Sequence, residues 1–153
     1  MAAAVLARMA SGRELADGSL LADRLALSSA GTGGWHAGEP MDPRAAAVLA
    51  GRGYQAGGHR ARPFATVSFA DTDLLVCMDR GHQQTLMSLA HATAGDDRYE
   101  DRLVMLRQFD RRAGGDLDVP DPYYGDESDF ASCLDLVESG CRGLADHLAD
   151  RLG

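Results

Sequence analysis

Asp73-Leu74-Leu75-Val76-Cys77-Met78-Asp79 is an unbroken apolar run held between two carboxylates. It is too short for a helix and apolar at every inner position, which predicts a strand buried on both faces. His82 to His91 (HQQTLMSLAH) then puts Leu86, Leu89 and Ala90 on one helical face. Arg102-Leu103-Val104-Met105-Leu106 is a second buried strand. Strands alternating with helices predict an α/β fold with a parallel sheet.

Working back toward the N-terminus, Arg24-Leu25-Ala26-Leu27-Ser28-Ser29 reads as a further short strand. It runs into a Gly-rich loop, Ala30 to Gly38, whose only aromatic is Trp35. The glycines do not make a dinucleotide fingerprint, because Glu39-Pro40 stands where a helix should open. Asp42-Pro43 is an N-cap followed by Pro at the first helical position, and predicts a helix to Arg52 with Gly53 as its stop. Gly57-Gly58-His59-Arg60-Ala61-Arg62 is a short basic connection. Residues 2–16 are rich in Ala and Leu and predict a helix, but one with no N-cap residue before it. A free α-amino charge there opposes the helix dipole, so it reads as a helix whose lead-in is missing.

Toward the C-terminus, Phe130, Leu134, Val137, Cys141, Leu144 and Leu148 recur at spacings of three and four, the core stripe of a long helix. Before it stands Asp118-Val119-Pro120-Asp121-Pro122-Tyr123-Tyr124-Gly125. Two prolines hold Val119 and Asp121 in extended geometry, so Asp121 sits on a stiff loop beside two aromatic rings. Read alone, this is a Pro-rich surface loop. Read for chemistry, a carboxylic acid beside an aromatic wall suits proton donation to an aryl leaving group.

Composition narrows the partners. The 153 residues carry 23 acidic and 15 basic side chains, a formal net charge of -8. That argues against nucleic acid or an anionic membrane as a partner. No apolar run approaches the roughly 20 residues that span a bilayer, and the N-terminus lacks signal-peptide character. A cytoplasmic location is expected. Cys77, Cys133 and Cys141 read as buried hydrophobes rather than a disulfide framework. The latter pair lies roughly 12 Å apart along one helix. His36, His59, His82, His91 and His147 show no zinc spacing, so neither metal nor cofactor is expected.

Ser29-Ala30-Gly31-Thr32, the Trp35 loop, Gly58 to Arg62, Leu75 to Asp79 and Asp-Pro-Tyr-Tyr-Gly occur in one order. That set resembles the low-molecular-weight protein tyrosine phosphatases, from Met1 to about Leu148. The resemblance implies one three-layer domain over residues 1–153, with a four-stranded parallel sheet and helices on both faces. It implies that Asp121 is the general acid of a hydrolase acting on phosphotyrosine in proteins. Trp35, Tyr123 and Tyr124 would contact the aryl ring, and Ser29 and His59 would support the phosphate-binding loop. That family carries Cys-x-x-x-x-x-Arg-Ser after its first strand, for a thiolate nucleophile and a phosphate-clasping arginine. Here the sixth residue after Cys77, Cys133 and Cys141 is Gln83, Ser139 and His147 respectively. The domain is therefore expected to be N-terminally incomplete and, as it stands, inactive. The leading reading is a phosphatase recorded from an internal start codon. The alternatives are a catalytically dead binding or regulatory module, an arsenate reductase of the same fold, and a generic nucleotide-binding domain with no supporting motif.

Overall fold

The computed structural model describes residues Met1–Gly153. Its sheet has two parallel strands, β1 (Leu75–Cys77) and β2 (Leu103–Met105), in register Leu75 with Leu103 and Cys77 with Met105. Five α-helices flank them: α1 (Ala2–Ser11), α2 (Pro43–Gly51), α3 (Ser68–Asp71), α4 (Arg80–Ala94) and α5 (Glu127–Leu152).

The period of two along a strand sorts side chains between two cores. Cys77, Leu103 and Met105 pack with Phe69, Leu86 and Ala90 of α3 and α4. Leu74, Val76 and Met78 turn the other way, against the larger core of α1, α2 and α5. Helices therefore cover both faces, as the apolar run at residues 74–78 required. α5 contributes more of the larger core than any other element, including Leu134, Val137, Cys141 and Leu144, and also buries Phe130. Its glycines have a packing role. A Cβ at Gly143 would overlap the backbone carbonyl of Phe109, and one at Gly140 would meet Leu106 at 2.7 Å.

Three helix starts, those of α2, α4 and α5, have a capping carboxylate. Asp79 caps α4 by accepting from the His82 N–H at 2.7 Å, and Asp42 caps α2 by accepting from the Arg44 N–H at 2.8 Å. Asp126 and Asp129 reciprocate at the start of α5 in a capping box.

Two expectations are corrected. α1 ends at Ser11, not at residue 16, because the chain turns at Gly12 and Glu14 bridges to Leu20. The expected strand at residues 24–29 is not in the sheet: Arg24 closes a short 3-10 turn, and residues 25–30 run on without ladder partners. A strand exists only where an adjoining edge offers hydrogen bonds, and the first bridge here comes just past that stretch, between Gly31 and Pro63.

Candidate functional site

The Pro120–Tyr124 loop sits at the C-terminal end of β1. The Val119 N–H donates to the Met78 carbonyl at 2.8 Å, extending the sheet's edge by one bond. Arg107, buried beneath the preceding loop, donates from Nη1 to the Asp118 carbonyl at 2.9 Å. The Asp118 carboxylate in turn accepts from the Arg80 N–H at 2.8 Å. Ligands of open α/β sheets bind at this end of the strands.

Asp121 is exposed, and its Oδ1 accepts from the Tyr123 N–H at 3.0 Å, an Asx turn that fixes the carboxylate against its own loop. Tyr123 stands next to it. The Tyr123 ring meets Tyr124 edge-on at 5.0 Å between centroids and faces His36 at 6.2 Å. Tyr123 is 47% exposed and Tyr124 97%, so both rings are available to a ligand. Trp35 is 82% exposed, with its ring folded over Gly33.

A groove of about 470 Å³ opens beside Asp121. Residues 26–30, Leu74–Val76, Leu106, Val137 and Cys141 are among those that line it. β1 pairs only with β2, so its edge toward the groove is free. Ser29 lines the groove, its carbonyl held by Arg62 Nε at 2.9 Å. Met1 lines it too, which directs the N-terminus of α1 into the same space as Asp121. Burial lowers the pKa of the Met1 amine. His59 is also held below the usual histidine range, first by burial and then by the charges of that amine and of Arg60.

None of the three cysteines has the environment of a thiolate nucleophile. All are free and buried. Burial pushes Cys77 up to about 11, with Asp79 adding, and Cys141 up to about 12. Cys133 is raised as well, again by burial first, with the charge of Asp121 adding to it.

One residue was visible in the sequence only as part of a helix start. Arg44 reaches from α2 under the aromatic loop, donating to the Tyr123 carbonyl at 3.0 Å and the Gly125 carbonyl at 3.3 Å. Its guanidinium lies 4.5 Å from the Phe130 ring centroid and 5.7 Å from that of Tyr123. Asp42 holds it at 2.8 Å. The only sequence signal is Asp42-Pro43-Arg44 itself, which marks a helix start and says nothing of what the arginine reaches.

An exposed carboxylate on an aromatic loop at the C-terminal end of a parallel sheet, with a helix N-terminus opening into the same groove, places the candidate site of an α/β protein. The sequence model described as "low molecular weight phosphotyrosine protein phosphatase" matches residues 7–152, and the chain belongs to that family. It is 49% identical over 117 residues to a low molecular weight protein-tyrosine-phosphatase of Streptomyces coelicolor, covering 76% of this chain and 68% of that one. It is 45% identical over 133 residues to low molecular weight protein-tyrosine phosphatase A of Mycobacterium tuberculosis, covering 86% and 76%. A crystal structure of a protein tyrosine phosphatase from Entamoeba histolytica, with Hepes in its active site, superposes with a TM-score of 0.85. The two are 26% identical, and the match covers 99% of this chain and 89% of that one.

Proposed function

We propose that the protein is a protein tyrosine phosphatase in which Asp121 is the general acid. Asp121 gives its proton to the tyrosine oxygen as the P–O bond breaks to a cysteine nucleophile. It then accepts a proton from the water that hydrolyses the phosphocysteine. Tyr123, Tyr124 and Trp35 flank the aryl ring, and Ser29 and His59 brace the phosphate-binding loop. The substrate class is phosphotyrosine in proteins, in the cytoplasm, and the net charge of -8 is consistent with a partner that is neither nucleic acid nor membrane.

The nucleophile is none of Cys77, Cys133 and Cys141, whose thiols are buried and raised. It belongs to a strand-and-loop segment, encoded upstream, that seats between residues 26–30 and β1. The observation that carries the reading is that Asp121, Ser29 and the start of α1 share one groove with two unpaired backbone edges. The test is to express the chain with its in-frame upstream codons and assay an aryl phosphate. Turnover by the extended form alone supports the proposal. An extended form that folds and shows no turnover overturns it.

The same buried thiols favour a second reading, a phosphatase-like binding module that retains the aromatic loop. Saturable binding of a phosphotyrosine peptide by the 153-residue chain, lost in Tyr123→Ala, would favour this. An arsenate reductase has less support, since Cys133 and Cys141 lie in the core rather than on an exposed segment.

A further inference from the structure

At the other end of α1, about 15 Å from its start, a second cavity of about 470 Å³ lies between the ends of α1 and α2 and the flank of α5. Four arginines line it, Arg8, Arg13, Arg52 and Arg142, against a single carboxylate, Asp146. Even with Asp135 and Glu138 behind Arg52 counted, a small positive excess remains, carried by Arg8 and Arg142, on a chain whose net charge is -8. Arg13 is held by Asp146 at 2.8 Å. Arg52 is held from behind by Asp135 at 2.6 Å and Glu138 at 2.8 Å. Arg8 and Arg142 are exposed and have no carboxylate within 4.0 Å, although the chain carries 23 acidic side chains. Tyr54 forms part of the wall, its hydroxyl donating to Glu138 at 2.8 Å.

Helix dipoles explain some of this and not the rest. A cation in the last turn of a helix offsets the partial negative charge of its terminal carbonyls. That covers Arg8 on α1 and Arg52 at the C-cap of α2. It does not cover Arg13, which lies beyond α1, or Arg142, which lies in the interior of α5. Two arginines pre-positioned by carboxylates and two left free, around one concave space, match the fork geometry with which guanidinium groups bind phosphate oxygens.

We propose that this cavity binds a small polyanion carrying two or more phosphate groups. Arg8 and Arg142 engage it directly, while Arg13 and Arg52, already paired with carboxylates, shape the walls. The site is separate from the Asp121 groove and does not rest on the phosphatase reading.

The test is isothermal titration of the 153-residue chain with tripolyphosphate at constant ionic strength, with 31P line broadening as a second readout that needs no heat signal. One-to-one saturable binding is expected, weakened about tenfold by Arg8→Gln and again by Arg142→Gln, and unaffected by Arg62→Gln, which alters the other groove. Both variants change exposed side chains, so circular dichroism should report an unchanged fold. Failure to saturate below about 10 mM overturns the proposal. So does binding that survives both substitutions, or that is lost with Arg62→Gln, which would place the anion in the Asp121 groove. Equal affinity for a polyglutamate peptide would show charge attraction without phosphate recognition, and would also overturn it.

Discussion

Arg44 Nη2 donates to the backbone carbonyl of Tyr123 at 3.0 Å, across 79 residues of sequence. This bond and its companion to the Gly125 carbonyl tie the acid loop to the start of α2, so Asp121 is positioned from two elements at once. Arg44→Met should speed amide exchange at Gly125, whose N–H closes the Pro122 turn, by about tenfold relative to wild type. Arg44→Lys should recover little, because one ammonium cannot bridge both carbonyls in a planar fork. Exchange unchanged in Arg44→Met would show that the prolines alone hold the loop.

The 153-residue chain should not hydrolyse an aryl phosphate. Asp121 can move a proton but cannot form a phosphoenzyme, and loss of a covalent nucleophile costs many powers of ten in rate. The measurement is turnover of purified chain with an Asp121→Asn control. Hydrolysis that Asp121→Asn abolishes would contradict the assignment of the nucleophile to another segment.

The groove beside β1 should make the isolated chain fragile. β1 is paired on one side only, residues 25–30 have no ladder partner, and apolar side chains line the space they share, so burying a strand there would satisfy both. The loss is comparable with the ~5–15 kcal/mol that stabilises a domain. The chain should bind a hydrophobic dye and melt over a broad range. A sharp, cooperative transition in a monomer without dye binding would show that residues 25–30 and β1 close on each other.

Acid should loosen the packing of α5 through Asp110. Burial opposes its ionisation, but the Arg112 N–H at 2.9 Å and the Ser139 hydroxyl at 2.8 Å, with Arg107 and Arg112 nearby, hold its folded pKa below the usual carboxylate value. The unfolded chain therefore takes up the proton first. The stabilisation is complete above the ordinary Asp value of about 3.9 and is lost as pH falls through the lower folded value. Denaturant midpoints of wild type and Asp110→Asn should differ at pH 6 and converge with acidification. A difference that does not change with pH would remove Asp110 from the account.

Much of the fold was legible because it depends on local pattern. The run at residues 74–78 announced a two-sided strand, and Phe130 to Leu148 announced the stripe of α5. Asp42-Pro43 marked the start of α2. The strand expected at residues 24–29 is absent from the sheet because its apolar run, Leu25-Ala26-Leu27, is a local feature while a ladder is not. α1 was drawn too long because propensity favours Ala-rich helix past Gly12, whereas the Glu14 bridge to Leu20 is a tertiary fact. At the candidate site, the exposed position of Asp121 on a fixed loop was legible from its prolines and tyrosines. Arg44 was not, since its acceptors are backbone carbonyls that any residue type could supply. Nor was His36, which the sequence offered only as a histidine without zinc spacing and which the structure sets opposite Tyr123.

The role proposed for Asp121 is to donate the proton to the leaving tyrosine oxygen. The most direct test compares the upstream-extended chain with its Asp121→Asn variant on two substrates, phenyl phosphate, a poor leaving group, and nitrophenyl phosphate, a better one. Asp121→Asn should slow the phenyl ester by roughly 10²–10⁴ and the nitrophenyl ester by much less, because only the poor leaving group needs the proton. Equal slowing of both esters, or an unchanged rate on the phenyl ester, would contradict it.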